Sequence, residues 1–317
     1  MNNFISAEQI NQRLTPRALV DKLAKAFASD ITTPMRQHFD IDNPYSERET
    51  TLLVMPSWQQ GKDIGIKLVT VVPDSYKYDL PSIQGVYVLL DAVKGNVKAI
   101  LDAPTLTAKR TAAASALASQ FMSRADSKVL TMVGTGTLAP ELIKAHAVTR
   151  PITTVNIWGR NLSKAQALAD ALTHLALKIN VVESLEVAVS EADIISCATM
   201  SQTPLIKGHW LKQGQHLDMV GAYRPDMREA DDECIRRSRI VVDNYQGACK
   251  ETGDIRIPLD KGILTKDGIV ADLFELCKKQ KEFVRRSGDI TFFKSVGHAL
   301  EDLAAAQLVY ECQGESK

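Results

Sequence analysis

The chain has 317 residues, more than a single hydrophobic core usually organises, so two domains are expected. Lys and Arg together number 38, as do Asp and Glu, and this balance excludes the broad positive field that nonspecific nucleic-acid or anionic-membrane binding requires. A small molecule is the expected partner.

Taken in chain order, residues up to about 105 read as helix and then strands. "PRALVDKLAKAFAS" has helical spacing, whereas "TTLLVMPSW", "GIKLVTVV" and "GVYVLLDAVKGNVKAILD" are extended, the last with a Gly-Asn turn. "TLTAKRTAAASALASQFMS" then predicts a long Ala-rich helix, with Thr105 or Thr107 as its N-cap. From there apolar strands alternate with helices: "KVLTMVG", a helix from Thr137, "TTVNIWG", "SKAQALADALTHL", "INVVE", "LEVAVSEA", "DIISCAT", "HLDMVGA", "ADDECIRRS" and "RIVVDN". Such alternation implies a parallel sheet covered on both faces. The final "SVGHALEDLAAAQLVYECQ" predicts an Ala-rich amphipathic helix that returns to the first domain.

The N-terminal "MNNFISAEQINQRL" has no basic segment followed by a long apolar one, so neither export nor membrane insertion is expected. Five cysteines, Cys197, Cys234, Cys249, Cys277 and Cys312, lack Cys-x-x-Cys spacing and suit a reducing cytoplasm. The six histidines lack metal-ligand spacing, so no metal is expected.

"VGTGTLAP" stands between an apolar strand and a helix, and Gly134-x-Gly136-x-x-Ala139 fits the dinucleotide fingerprint G-x-G-x-x-[G/A]. Gly134 permits the tight turn, Gly136 lets backbone N–H groups approach a pyrophosphate, and Ala139 allows close helix–strand packing. An acid that binds the ribose 2′-hydroxyl belongs about 20 residues further on. There the chain has "VNIWGRN" with no acid; Arg160, Asn161, Ser163 and Lys164 suit a 2′-phosphate instead. NADP(H) is therefore expected, with NAD(H) as the alternative, although spacing alone equally allows Arg160 and Lys164 to be a solvated pair.

Lys67 interrupts the apolar "DIGIKLVTVV", Arg110 lies on the opening turns of the Ala-rich helix and Arg36 in "TTPMRQH". Each is compatible with a solvent-facing charge. Together they could orient a carboxylate.

"LLVMPSW", "GIKLVTVVP", "LTAKRTAAASALAS", "VGTGTLAP", "IWGRN", "ATMSQTP", "VGAYRPDMREADDE" and "FFKSVGHALEDLAAAQLVY", in that order, resemble the ornithine cyclodeaminase/mu-crystallin family over nearly the whole chain. The resemblance implies an α/β protein with a Rossmann NADP-binding domain (119–294) inserted in an α+β substrate-binding and dimerisation domain (1–118 and 295–317), and a homodimer. It implies that Arg36, Lys67 and Arg110 hold the substrate carboxylate beside the nicotinamide, with Lys67 and Arg110 as the catalytic pair. It places the backbone of Thr135, Gly136 and Leu138 at the pyrophosphate, Arg160 and Asn161 at the adenosine end, and Thr199, Met200 and Val220 along the cofactor cleft, with Ser82, Gln84 and Ser295 as further candidates.

Family members perform different chemistries, so the reaction needs a finer marker. Ornithine cyclodeaminases carry an acid two positions after the glycine of the segment written here "VGAYRP"; this chain has Tyr223, which lines the substrate pocket in the expected arrangement. The segment is similar to the ketimine-reductase branch. The expected activity is NADPH-dependent reduction of cyclic ketimine carboxylates, Δ1-pyrroline-2-carboxylate to L-proline and also Δ1-piperideine-2-carboxylate to L-pipecolate, with a role in proline metabolism and hydroxyproline degradation. The alternatives are NAD-dependent ornithine cyclodeamination and a crystallin-like dinucleotide-dependent binding protein.

Overall fold

The computed structural model of the protein describes residues 4–46 and 48–312. The chain divides into two units, one running up to Arg110 and resuming at His298, the other Thr111–Gly297. No helix among the described residues is long and apolar enough to cross a membrane.

The first unit opens with β1 (Phe4–Ile5), α1 (Ala7–Arg13) and α2 (Pro16–Ala28). The Thr15 side chain accepts from the Ala18 N–H, and Pro16 takes a first-turn position where its missing N–H costs nothing. Leu19, Val20, Leu23 and Phe27 form the buried stripe of α2. β2 (Ile31–Thr32), β3 (Gln37–Ile41), β4 (Thr50–Gln59), β5 (Asp63–Val71), β6 (Ile83–Asp91) and β7 (Val97–Asp102) follow. The sheet order is β1-β7-β6-β5-β4-β2, with β3 also on β4; all pairs are antiparallel except β1 with β7. The expected Gly-Asn turn joins β6 to β7, with Gly95 at φ 76°.

α3 (Ala103–Met122) is the Ala-rich helix. Its expected N-cap is corrected: the Thr105 N–H donates to Asp102 Oδ1 at 2.9 Å, and helix begins at Ala103, so both threonines lie inside it. An ionised carboxylate is a stronger acceptor for first-turn N–H groups than a hydroxyl.

The second unit continues with β8 (Val129–Val133), α4 (Leu138–Thr149), β9 (Thr154–Trp158), α5 (Leu162–Ala171), β10 (Lys178–Val181), α6 (Leu185–Glu191), β11 (Ile194–Cys197) and β12 (His216–Met219). Then come α7 (Asp232–Arg237), β13 (Ser238–Val242), α8 (Tyr245–Glu251), α9 (Gly253–Asp260), β14 (Ile269–Asp272), α10 (Leu273–Cys277) and β15 (Ile290–Lys294). They form an eight-stranded parallel sheet in the order β10-β9-β8-β11-β12-β15-β13-β14. The fold is thus mixed α/β with a Rossmann-like sheet whose order reverses at β8, between β9 and β11. β15, which the alternating pattern does not reveal, inserts between β12 and β13.

The last helix, α11 (Ala299–Glu311), packs on α2, β4 and β5 of the first unit. It is not amphipathic as expected: Ala299 through Gln307 are all buried, so no polar face remains. Gln313, the end of the stretch predicted as helix, lies outside the described residues.

Candidate functional site

The glycine loop follows β8 at the point where the strand order reverses. Gly134 has φ 115°, and a Cβ there would stand 2.6 Å from the Ala198 carbonyl oxygen, so both conformation and space demand glycine. Gly136 differs. A Cβ there would meet no protein atom within 4 Å, and its φ is not in the left-handed region, so nothing inside the chain requires glycine at this exposed position. The open backbone there leaves room for a ligand to approach its N–H groups closely. Thr135 and Leu138 flank it half-buried, and Ala139 is fully buried under α4.

At the end of β9, Arg160, Asn161 and Lys164 are exposed. The Asn161 carboxamide oxygen accepts from the Lys164 N–H at 3.1 Å and caps α5, so this side chain has a structural task as well. Beyond β11 and β12, Thr199 is half-buried, Met200 is 70% exposed and Val220 is buried. Ser295 is buried, its hydroxyl donating to Asp243 Oδ2 at 3.3 Å; Ser82 and Gln84, in the first unit, are exposed.

In the first unit, Met55, Lys67, Tyr87 and Leu101 pair in one row across β4, β5, β6 and β7, and all four are buried. A Cβ on Gly65 would lie 1.7 Å from the Tyr87 hydroxyl, so this strand glycine makes room for the phenol. The solvent-facing reading of Lys67 is overturned: its side chain is 3% exposed and its ammonium lies 2.7 Å from Asp302 Oδ2. Arg110 is likewise buried, its Nε 2.9 Å from Asp302 Oδ1 and its Nη1 2.6 Å from Glu301 Oε2. Asp302 therefore holds the lysine with one oxygen and the arginine with the other. Arg36 lies near enough to act electrostatically on Lys67 and on His298.

Burial pushes Lys67 down to about 8, against the attraction of Asp302 and with help from Arg110 and Arg36. Burial also opposes the charge of Arg110, but Asp302 and Glu301 outweigh it and raise its pKa. Asp302 is held below the usual carboxylate range: burial acts upward, and Arg110 and Lys67 prevail. His298, whose Nδ1 accepts from the Leu300 N–H at the start of α11, is pushed down to about 4 by burial and then by Arg36 and Arg110. It is neutral at pH 7.

The profile of the ornithine cyclodeaminase/mu-crystallin family matches residues 1–317. The chain belongs to this family. The Arabidopsis thaliana protein SAR DEFICIENT 4 is 40% identical over 319 residues, covering 97% of this chain and 96% of the relative. The Δ1-pyrroline-2-carboxylate reductase of Colwellia psychrerythraea is 38% identical over 311 residues, 97% of this chain and 98% of its own. Among solved structures, the Δ1-pyrroline-2-carboxylate reductase of Thermococcus litoralis in complex with NADH and L-proline superposes with a TM-score of 0.91 at 30% identity, covering 98% and 97% of the two chains.

Against this family background, Glu301 and Asp302 escaped the sequence reading because two acids opening an Ala-rich helix look like ordinary helix-start residues. Glu229, Asp254 and Lys294, a buried charged group in the second unit, escaped it too. Lys294 carries the same signal as Lys67, a lysine ending the apolar run "ITFFK"; Glu229 and Asp254 lie outside any strand and have none. Tyr223 is 41% exposed.

Proposed function

We propose that the protein is an NADPH-dependent ketimine reductase that converts Δ1-pyrroline-2-carboxylate to L-proline and Δ1-piperideine-2-carboxylate to L-pipecolate. The observation that carries the reading is the buried cluster on β5, α3 and α11. In it Lys67 and Arg110 are fixed by the carboxylates Glu301 and Asp302, and Arg36, half-buried ahead of β3, acts electrostatically on Lys67, a grouping of cations suited to the carboxylate of such a substrate. The relatives' names and the L-proline held by the Thermococcus enzyme support the substrate class. That enzyme was captured with NADH, so the NADPH preference rests on Arg160 and Lys164 of this chain.

The dinucleotide supplies the hydride. Gly136 admits its pyrophosphate to the backbone N–H groups at the start of α4, and Arg160 and Lys164 receive the 2′-phosphate. Lys67 and Arg110, fixed in mutual orientation by Asp302, align the substrate through its carboxylate. A protonated C=N bond accepts hydride without a strong base, whereas oxidising the protonated amine of ornithine needs one. At position 223 this chain offers a phenol and no carboxylate for that task. Nearby Asp226 is ion-paired with Arg224 at 3.0 Å, and although burial acts upward, its bonds to Gln202 and Arg224 keep its pKa low, which makes it a weak base. In this reading 1–118 and 295–317 bind substrate and dimerise, and 119–294 bind the dinucleotide, in a homodimer working in the cytoplasm.

The test is NADPH and NADH oxidation by purified protein with Δ1-pyrroline-2-carboxylate and Δ1-piperideine-2-carboxylate, beside an ammonia assay with L-ornithine and NAD. Imine-dependent oxidation, faster with NADPH and without ammonia release, is expected. Stoichiometric ammonia and proline from ornithine would replace the reading with cyclodeamination.

A further inference from the structure

A carboxylate that touches no proposed ligand ties together the loops that form the expected cofactor cleft. Glu229 is fully buried. Its Oε1 accepts from the Thr199 N–H at 2.6 Å and the Thr199 hydroxyl at 2.9 Å; its Oε2 accepts from the Gly221 N–H at 2.7 Å and the Ala222 N–H at 3.2 Å. Thr199 follows β11, and Gly221 and Ala222 follow β12, the neighbouring parallel strand. One side chain thus spans the carboxyl ends of two strands beside the point where the sheet order reverses.

The two loops are in contact. A Cβ at Gly221 would stand 2.0 Å from the Thr199 carbonyl oxygen and 2.6 Å from Glu229 Oε1, so glycine is needed for the approach. Behind Glu229 lies Lys294, the last residue of β15, which pairs in register with Met219 of β12. Its ammonium is 3.8 Å from Glu229 Oε2 and 2.9 Å from Asp254 Oδ2. Asp254 Oδ1 in turn accepts from the Glu229 N–H at 2.8 Å and the Ala230 N–H at 3.2 Å. The ends of three adjacent strands are therefore joined through one buried carboxylate–ammonium–carboxylate group, in which every short contact opposes a donor to an acceptor. A protein that needed this group only for stability would be served as well by apolar packing, because buried ion pairs contribute little over well-packed hydrophobic residues.

Resting on the dinucleotide reading of this sheet edge, we propose that Glu229 is a positioning residue that sets the backbone of Thr199–Met200 and Val220–Gly221 for the dinucleotide, with Asp254 and Lys294 holding Glu229 in place. An isosteric amide shows why the carboxylate matters. Glu229→Gln keeps the volume but turns an NH2 group toward N–H donors that need an acceptor, and one loop must move away.

The experiment measures NADPH and NADH dissociation constants by fluorescence titration, together with thermal midpoints, for wild type, Glu229→Gln, Asp254→Asn and the core control Ile235→Val. Ile235 is buried in α7, and shaving one methyl from it lowers stability without touching the loops. Glu229→Gln is expected to weaken NADPH binding about tenfold to a hundredfold, and Asp254→Asn, one bond further back, about threefold to tenfold. Ile235→Val should bind as wild type despite a lower midpoint. Should Glu229→Gln fail to fold, Asp254→Asn decides the matter. Folded acid variants that bind NADPH within twofold of wild type would overturn the positioning role; wild-type protein that binds neither dinucleotide would overturn the cofactor reading itself.

Discussion

Arg160 stands where an acid would select NAD, at the exposed end of β9, and Lys164 lies one helical turn further along. Replacing Arg160 with Asp should raise KM for NADPH by roughly tenfold or more while leaving KM for NADH nearly unchanged, since a charge-assisted bond to phosphate contributes about 1.5–3 kcal/mol. Equal changes with both cofactors would show that Arg160 is a solvated charge. For Lys67 the deciding quantity is its protonation. Because burial brings its pKa down to about 8, the ammonium proposed to orient a carboxylate is lost as pH rises through that value. Affinity for a planar, non-titrating analogue such as pyrrole-2-carboxylate should therefore fall above about pH 8 in wild type. Lys67→Met should bind weakly at every pH and lower kcat/KM for the imine by about tenfold to a thousandfold, while its NADPH affinity stays near wild type. A flat wild-type profile would remove Lys67 from the substrate site.

Of the two glycines in the loop between β8 and α4, Gly134 is required by the chain itself and Gly136 is assigned to the proposed ligand, and the reasons can be separated. Gly134→Ala forces a side chain into a left-handed backbone and against the Ala198 carbonyl, so a loss of thermal stability is expected first. Gly136→Ala meets open space, so the thermal midpoint should stay near wild type or rise slightly, while dinucleotide affinity drops by about tenfold or more. A Gly136→Ala protein with unchanged NADPH affinity would leave this glycine without a ligand-based reason. The same scale explains α11. An Ala-rich helix can be buried nearly all round because small side chains let neighbours approach closely, and its two first-turn acids are admitted to the interior only because Lys67 and Arg110 meet them there.

For the molecule as a whole, two buried histidines act in the same direction. His216, with its Nδ1 2.9 Å from Thr291 Oγ1, is pushed down to about 3, chiefly by burial, and His298 to about 4. Unfolded histidines take up a proton near pH 6.5, so below that value the unfolded chain binds more protons than the native one. The stability these two histidines contribute is therefore fully present above about pH 6.5 and declines toward their folded pKa values, by up to about 1.4 kcal/mol per pH unit for each. Asp218 and Asp302, whose pKa values are lowered in the fold, add to the loss at still lower pH. Urea unfolding at pH 7 and near pH 4 should show a large drop in the midpoint for wild type and a smaller drop for His216→Asn. An undiminished drop in that variant would place the acid sensitivity elsewhere.

Local pattern was enough for much of this protein. The strand–helix alternation after α3, the glycine turn that opens α4, the absence of an acid after β9 and the Tyr at position 223 are written in short stretches of chain, where period, turn chemistry and charge act within a few residues. What tertiary structure decided was the state of the charges. Lys67, Arg110 and Asp302 lie on three elements far apart in sequence, and only their burial in one cluster turns residues that read as ordinary surface or helix-start charges into a single oriented group. The same holds for Glu229, Asp254 and Lys294: no periodicity marks them, because a buried ion's partners are fixed by how strands stack side by side and not by their spacing along the chain. Sequence determines where a charge sits in the chain; whether it faces water or a counter-charge is settled by packing, since desolvation and pairing depend on neighbours that only the fold supplies.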